Sequence, residues 1–352
     1  MRMGWAQILQ AAGRFKILRK IGDIIKKKPN AVHTPEETMK TIFKGFLQNI
    51  RIYHLPLEKV KAHISTYYRD LGRCNKESYQ DAKQVMRDLY VKIRKRKLMK
   101  VTIDGTFIGV RGKTFEHASK MYSGNKQDKG KRGYTLVTCF DTINKSPIDF
   151  EVPLVHELNA ASRLLRSALA LEEEGKITIT LFVLDALYLN KELLDLVSGH
   201  KFILRARAYE WLLTHVDENQ ERGCKEIMLW GHKVTLYWRP SKEKEEKLCL
   251  LITNVTCKRI WWLYGHHKQM IENYHDDLKN KMGIRKLPSH TFYAILVYFC
   301  IILLIYMLAR SVLLEINMNT VSCGTVLFVA SQSTSKDSLI RNLLLLRKRK
   351  PG

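Results

Sequence analysis

Three acidic residues stand where carboxylates can do chemistry. Asp104 closes the alternating run Leu98-Met99-Lys100-Val101-Thr102-Ile103, just before Gly105. Asp185 follows Ile177 to Leu184 (ITITLFVL), a near-continuous apolar run. Glu272 lies in a helical stretch that also carries Lys268 and Lys279, at i−4 and i+7, so all three share one face. Two neighbouring parallel strands that each end in Asp bring their oxygens together at the carboxyl edge of a sheet, where ligands bind in open α/β folds. Close carboxylates resist joint ionisation unless a cation sits between them. Mg²⁺ or Mn²⁺, bound through oxygen, does that. Plainer readings stand beside this one: an Asp at a strand end that only caps a turn, and a solvated i,i+4 salt-bridge face around Glu272.

The elements that must position these residues are legible in the patterning. Residues 1–97 are basic and helical, with apolar residues at helical spacing in Trp5-Ile8-Leu9-Ala12 and in Phe15 to Ile25. Lys26-Lys27-Lys28-Pro29-Asn30 ends that run, and Thr34 with Glu37 reads as a capping box. Amphipathic helices follow at Leu57–Leu71, broken by Gly72, and at Lys76–Lys97. From Lys100 the pattern changes to strands at 98–104, 134–141 and 148–155, a helix over 159–174 stopped by Gly175, a strand over 177–184, a short helix at 190–197 and a strand at 200–207. Residues 208–260 form a β-rich insertion of three strand-like runs separated by Gly231-His232 and by Ser241 to Glu246. A helix resumes near Ile260, and 316–352 is a C-terminal segment ending in the basic tail Arg347-Lys348-Arg349-Lys350. The organisation expected is a helical, DNA-binding N-terminal domain (1–97), a core in two parts (98–207 and 261–315), the insertion (208–260) and the C-terminal segment.

Composition narrows the partner. Among 352 residues, 60 Lys and Arg against 34 Asp and Glu give a net charge of +26. With 45% hydrophobic residues, this is a folding chain that seeks a polyanion. Nucleic acid leads, ahead of an anionic membrane surface and of ordinary surface basicity. Seven Cys at irregular spacing, without a CxxC, argue against a disulfide framework or a zinc module and fit a reducing compartment. Polar residues interrupt the N-terminal apolar positions, so no signal peptide is expected. Ala294 to Ala309 carries no charge but is shorter than the roughly 20 residues a membrane span needs, and reads as a buried core helix. Basic runs at Arg94-Lys95-Arg96-Lys97 and at Lys126, Lys129, Lys131 and Arg132 suit sequence-independent backbone contacts. Arg205 and Arg207, on the last core strand, either add to these or are surface basicity. Trp211, Trp230 and Trp238 either stack on frayed bases or fill the hairpin core.

The order of elements resembles an RNase H-like core, and the local motifs resemble insertion-sequence DDE transposases with a Tyr-Arg-Glu-Lys signature. The matching segments are Val101-Thr102-Ile103-Asp104-Gly105-Thr106, Val183-Leu184-Asp185-Ala186-Leu187-Tyr188, the β-rich insertion, Thr253-Asn254, and Lys268 with Glu272 and Lys279. The sequence departs at the Arg position, where Lys268 loses the two-pronged phosphate contact. It departs again at the Tyr position, which is Gly265, with Tyr264 one residue early. The resemblance implies an α/β fold: an RNase H-like mixed sheet flanked by helices. It implies a transposase that cleaves transposon ends and transfers strands into target DNA by in-line displacement. Asp104, Asp185 and Glu272 would hold two Mg²⁺ ions (or Mn²⁺). Lys268, Lys279, Tyr264, Arg205, Arg207, Lys131, Arg132, Arg94 and Arg96 would contact double-stranded DNA. A homodimer on paired ends, no membrane and a prokaryotic, nucleoid-associated cytoplasmic location complete the expectation. The alternatives are an RNase H-like nuclease without strand transfer and a decayed transposase that only binds DNA.

Overall fold

The computed structural model describes residues 3–25, 34, 36–37, 39, 41–42, 64–121, 128–217, 219–241 and 248–315. The Lys26–Lys28 turn, the start of the expected Leu57 helix, Lys126, most of the 241–246 loop and the basic tail lie outside these residues. The chain divides into two compact units. One comprises 1–95, 107–134 and 273–352, the other 96–106 and 135–272.

In the first unit, α1 (Met3–Arg14), α2 (Ile17–Ile24), α3 (Ile64–Leu71) and α4 (Lys76–Ile93) precede the long C-terminal helix. The capping box forms: the Thr34 amide donates to Glu37 Oε2 at 2.9 Å and the Glu37 amide to Thr34 Oγ1 at 3.2 Å. Asn75 caps α4 by accepting from the Ser78 amide at 3.0 Å. This helix ends at Ile93 rather than Lys97. The four consecutive cations that follow would repel one another along a helix, and the chain straightens instead. The last helix, labelled α9 below (Phe292–Glu315), has 24 residues, more than the charge-free run suggested, because Arg310 is buried within it at 2% exposure. By length and composition it could cross a membrane, yet 94% of its apolar window is buried inside the protein. It is apolar on all sides, as a helix surrounded by partners must be. Those partners include α4, α1 and α3.

The second unit is built on a mixed sheet. Its strands are β1 (Leu98–Gly109), β3 (Arg132–Asp141), β4 (Ser146–Glu151), β5 (Thr178–Leu184), β6 (Phe202–Ala206), β7 (Gly223–Leu229), β8 (His232–Pro240) and β9 (Leu248–Thr253). β1 and β3 run on into the first unit, where β3 pairs with the short β2 (Ser119–Lys120). Strand order is β3-β1-β5-β6-β9-β8-β7, with β4 on β3. β1, β5 and β6 are parallel and the rest antiparallel. The crossovers are α5 (Glu157–Glu173) between β4 and β5, and α6 (Lys191–Val197) between β5 and β6. Parallel strands need such crossovers, and burial on both faces explains the unbroken apolar run of β5. The strands of the 208–260 segment join the same sheet, through β9 beside β6. A short helix, α7 (Glu210–Leu213), precedes them. β7 and β8 are linked by Trp230-Gly231, at φ 49° and 89°, a two-residue turn whose positive φ values match the strand twist.

Candidate active site

The parallel ladder between β1 and β5 ends at the pair Ile103–Leu184. Asp104 and Asp185 are the next residues on each strand, so equal register brings them side by side. Asp104 is therefore at the end of a ladder rather than of a strand, since β1 continues to Gly109. Asp185 turns the chain into a 3-10 turn (Ala186–Tyr188), accepting from the Ala186 amide at 2.7 Å.

The third element is α8 (Ile260–Asp276). Its first turns sit on a sheet face formed by Leu181, Val183, Ile203 and Leu251, which bury Ile260 with Trp261, Leu263 and Tyr264 against them. At the strand end, Thr253 Oγ1 donates to the Phe202 carbonyl at 2.5 Å, and the Asn254 side chain accepts from the Phe202 amide at 2.9 Å and donates to the His200 carbonyl at 2.7 Å. The Thr-Asn pair thus pins β9 to the start of β6 just before α8 begins. Further along, His267 is buried beside Thr142, with Thr142 Oγ1 and His267 Nδ1 2.8 Å apart.

This docking points Lys268 at the aspartates. Its ammonium lies 2.9 Å from Asp104 Oδ1 and 2.9 Å from Asp185 Oδ2. Burial alone would lower the Lys268 pKa, but the two carboxylates outweigh it and hold it above the ordinary lysine value. Tyr264 donates from its hydroxyl to Asp185 Oδ1 at 3.3 Å, and burial followed by the Asp185 charge pushes its pKa up strongly. Glu272 is one turn beyond Lys268. Loss of hydration raises its pKa, Lys268 opposes the rise, and Asp104 and Asp185 add to it. Its side chain is still accessible to water, so the shift is a modest preference. The three acids found by sequence thus share one electrostatic neighbourhood.

A fourth carboxylate was missed. Glu157, the first residue of α5, accepts from the Tyr188 hydroxyl at 2.5 Å. It lies so close to Gly105 that a Cβ there would collide with its carboxyl group. Burial raises its pKa, the Tyr188 bond lowers it, and Asp104 raises it again. Only the Asp-Gly pair hinted at it: a residue without a side chain beside a catalytic-type Asp leaves room for a neighbour.

The cation-rich residues scatter. Arg205 lies close enough to Tyr264 for its charge to bear on that phenol, and Arg207 is exposed just past β6. Lys279 falls in the π-helical turn Asp277–Lys281, beyond the α-helical periodicity that placed it on the Glu272 face. Arg132 donates to the carbonyls of Lys113 at 3.3 Å and Ala118 at 3.0 Å, Lys131 pairs with Asp128 at 3.5 Å, and Arg94 bonds the Val91 carbonyl. Arg96 is exposed, its backbone amide bonded to Asn144. Of the tryptophans, Trp238 is hairpin core at 3% exposure, whereas Trp211 and Trp230 are exposed, their rings 6.0 Å apart.

The family model of the transposase DDE domain matches residues 95–308. The chain belongs to the DDE transposases. No curated protein matches its sequence. Among solved structures it is similar to the piggyBac transposase in a cryo-EM synaptic complex with hairpin DNA, at a TM-score of 0.55 and 14% identity over 98% of this chain and 86% of that one. That likeness is one of fold, the RNase H-like core expected from the order of elements. DDE transposases are DNA-cleaving and strand-transferring enzymes that generally work with divalent metal ions, and this chain is an enzyme of that class.

The donor chemistry fits such an ion. Two carboxylates from separate strands already converge on a single cation, the Lys268 ammonium. Among the described residues, no group of three His, Cys, Asp or Glu is drawn together as a ligand set. Asp104 and Asp185 would hold such an ion with carboxylates that here accept from the Lys268 ammonium.

Proposed function

We propose that the transposase cuts double-stranded DNA at the ends of its element and joins the freed 3′ ends to target DNA, using Asp104, Asp185 and Glu272 as metal-holding carboxylates. One observation carries this reading: two aspartates 81 positions apart (185 − 104) share the Lys268 cation at 2.9 Å each, one helical turn from Glu272. Two Mg²⁺ ions, or Mn²⁺, would activate a water or a 3′-hydroxyl and neutralise the leaving 3′-oxygen.

The chain's own groups prepare that chemistry. The β1–β5 register brings Asp104 and Asp185 abreast, and the Lys268 ammonium bridges them at 2.9 Å each. Tyr264 fixes the Asp185 rotamer through its hydroxyl. The Lys268 ammonium, held by one oxygen of each aspartate, would also supply positive charge to a phosphate oxygen of bound DNA. The net charge of +26, with Arg96, Arg207 and Lys279 among the contributors, supports a salt-sensitive hold on the DNA backbone. Joining two ends calls for two active sites, hence a homodimer on DNA, in a cytoplasm where nucleoid DNA is within reach.

The test is cleavage and joining of element-end DNA with Mg²⁺ by wild type, Asp104→Ala, Asp185→Ala and Glu272→Ala. Loss of both products in all three variants is the expected result. Equal activity in all four proteins would defeat the assignment, and cleavage without joining by wild type would leave a nuclease.

A further inference from the structure

We propose that Glu157 is a positioning residue of this site. Held by Tyr188 and seated on Gly105, it clamps the turn carrying Asp185 to the strand carrying Asp104. The inference rests on the reading of those two aspartates as metal-holding groups.

The geometry is specific. Tyr188 ends the 3-10 turn that Asp185 caps, and its ring is buried at 1% exposure. Its amide donates to the Asp185 carbonyl at 2.9 Å, so ring and carboxylate belong to one rigid turn. The hydroxyl then reaches out of that turn to Glu157 Oε1 at 2.5 Å. Glu157 in turn fills the space beside the Gly105 Cα that any other residue would occupy with its Cβ. The chain of contact is thus Asp185 turn, Tyr188, Glu157, Gly105, Asp104.

The β1–β5 register alone does not fix the aspartates. The ladder stops one residue before each, at Ile103 and Leu184, and beyond it β1 runs on to Gly109 while the chain after Asp185 enters the 3-10 turn. Two carboxylates that repel each other need a mechanical tie across that gap. Lys268 supplies an electrostatic one through the carboxylate oxygens themselves. The Tyr188–Glu157 tie uses no carboxylate oxygen of Asp104 or Asp185 and does not depend on Lys268. It also accounts for the aromatic residue three positions after Asp185 and for the glycine after Asp104.

Mn²⁺ binding to the full-length protein, followed by electron paramagnetic resonance, tests this alongside cleavage of end DNA. Tyr188→Phe, which removes only the hydroxyl, and Glu157→Ala should each weaken Mn²⁺ binding about tenfold, the usual cost of losing a group that orients a ligand. They should lower kcat and leave KM for DNA unchanged. Glu157→Gln keeps an acceptor in the same volume and should recover most of what Glu157→Ala loses. The double variant Tyr188→Phe/Glu157→Ala should be no worse than Glu157→Ala, as for two ends of one bond. Unchanged Mn²⁺ affinity in Tyr188→Phe and Glu157→Ala, with binding lost in Asp104→Ala, overturns the clamp alone. Glu157→Gln as damaged as Glu157→Ala also overturns it, by making Glu157 a charged ligand in its own right. Mn²⁺ binding that survives Asp104→Ala overturns the metal reading, and the clamp with it.

Discussion

The parallel part of the sheet and its antiparallel arm use strand ends in opposite ways. β1 and β5 run side by side in the same direction, so the ends of their ladder lie together, and each is followed by an aspartate. In β7, β8 and β9 neighbours alternate in direction. β7 and β8 are joined by the tight Trp230-Gly231 turn, and the arm is apolar: Trp238 is buried within it, with Trp211 and Trp230 exposed. The parallel edge concentrates like charge at a cost in stability and keeps it in place with Lys268. The arm is ordinary hairpin packing. Function should therefore be lost at the first without loss of fold, and fold at the second before any direct effect on chemistry.

The largest expected effect tests the first half of that contrast. Asp104→Ala or Asp185→Ala should lower end cleavage by about 10³-fold or more, with little change in melting temperature, as measured by gel assay and calorimetry. A coincident collapse of the melting transition would make the aspartates structural and dissolve the contrast. Trp238→Ala probes the second half. The indole is 3% exposed, and its Nε1 donates to the Gln220 carbonyl at 3.0 Å. Its removal should cost about 3–5 kcal/mol in urea unfolding.

A third prediction concerns the helix that serves the parallel edge. Burial first, then Lys100 and His266, lower the His267 pKa from 6.5 to about 4. A histidine whose folded pKa is depressed stabilises the fold fully above its unfolded pKa. As pH falls from 6.5 to about 4 the unfolded chain takes up the proton and that stability is lost, on the order of 3 kcal/mol in all. Urea midpoints across this window should fall in wild type and much less in His267→Gln. The smallest effect belongs to the outer face of the arm. Trp211→Ser, at 43% exposure, should change stability by less than about 0.5 kcal/mol. A larger loss would mean that the exposed aromatics brace the arm.

Much of the core could be read in advance because it rests on local periodicity. The apolar run of β5, the alternation of β1 and the capping box at Thr34 and Glu37 are properties of neighbouring residues. Asp104 and Asp185 stood out because each follows a strand pattern. Helix ends were less legible. The 24-residue C-terminal helix passes through Arg310, a charge that closes an apolar run in sequence but is buried in the fold. Glu157 was invisible for a similar reason: one glutamate at the start of a helix looks like any other acid at a helix N-terminus.

The sequence alone determined the element types, the basic character and the three acids, because each is written in residue spacing or charge. Tertiary structure decided what those acids meet. The β1–β5 register set the aspartates abreast, the seat of α8 on the sheet turned Lys268 onto both at 2.9 Å, and the close approach of α5 to Gly105 brought in Glu157. Contacts of this kind depend on how separate elements pack, and no local pattern encodes a distance between residues 81 positions apart (185 − 104).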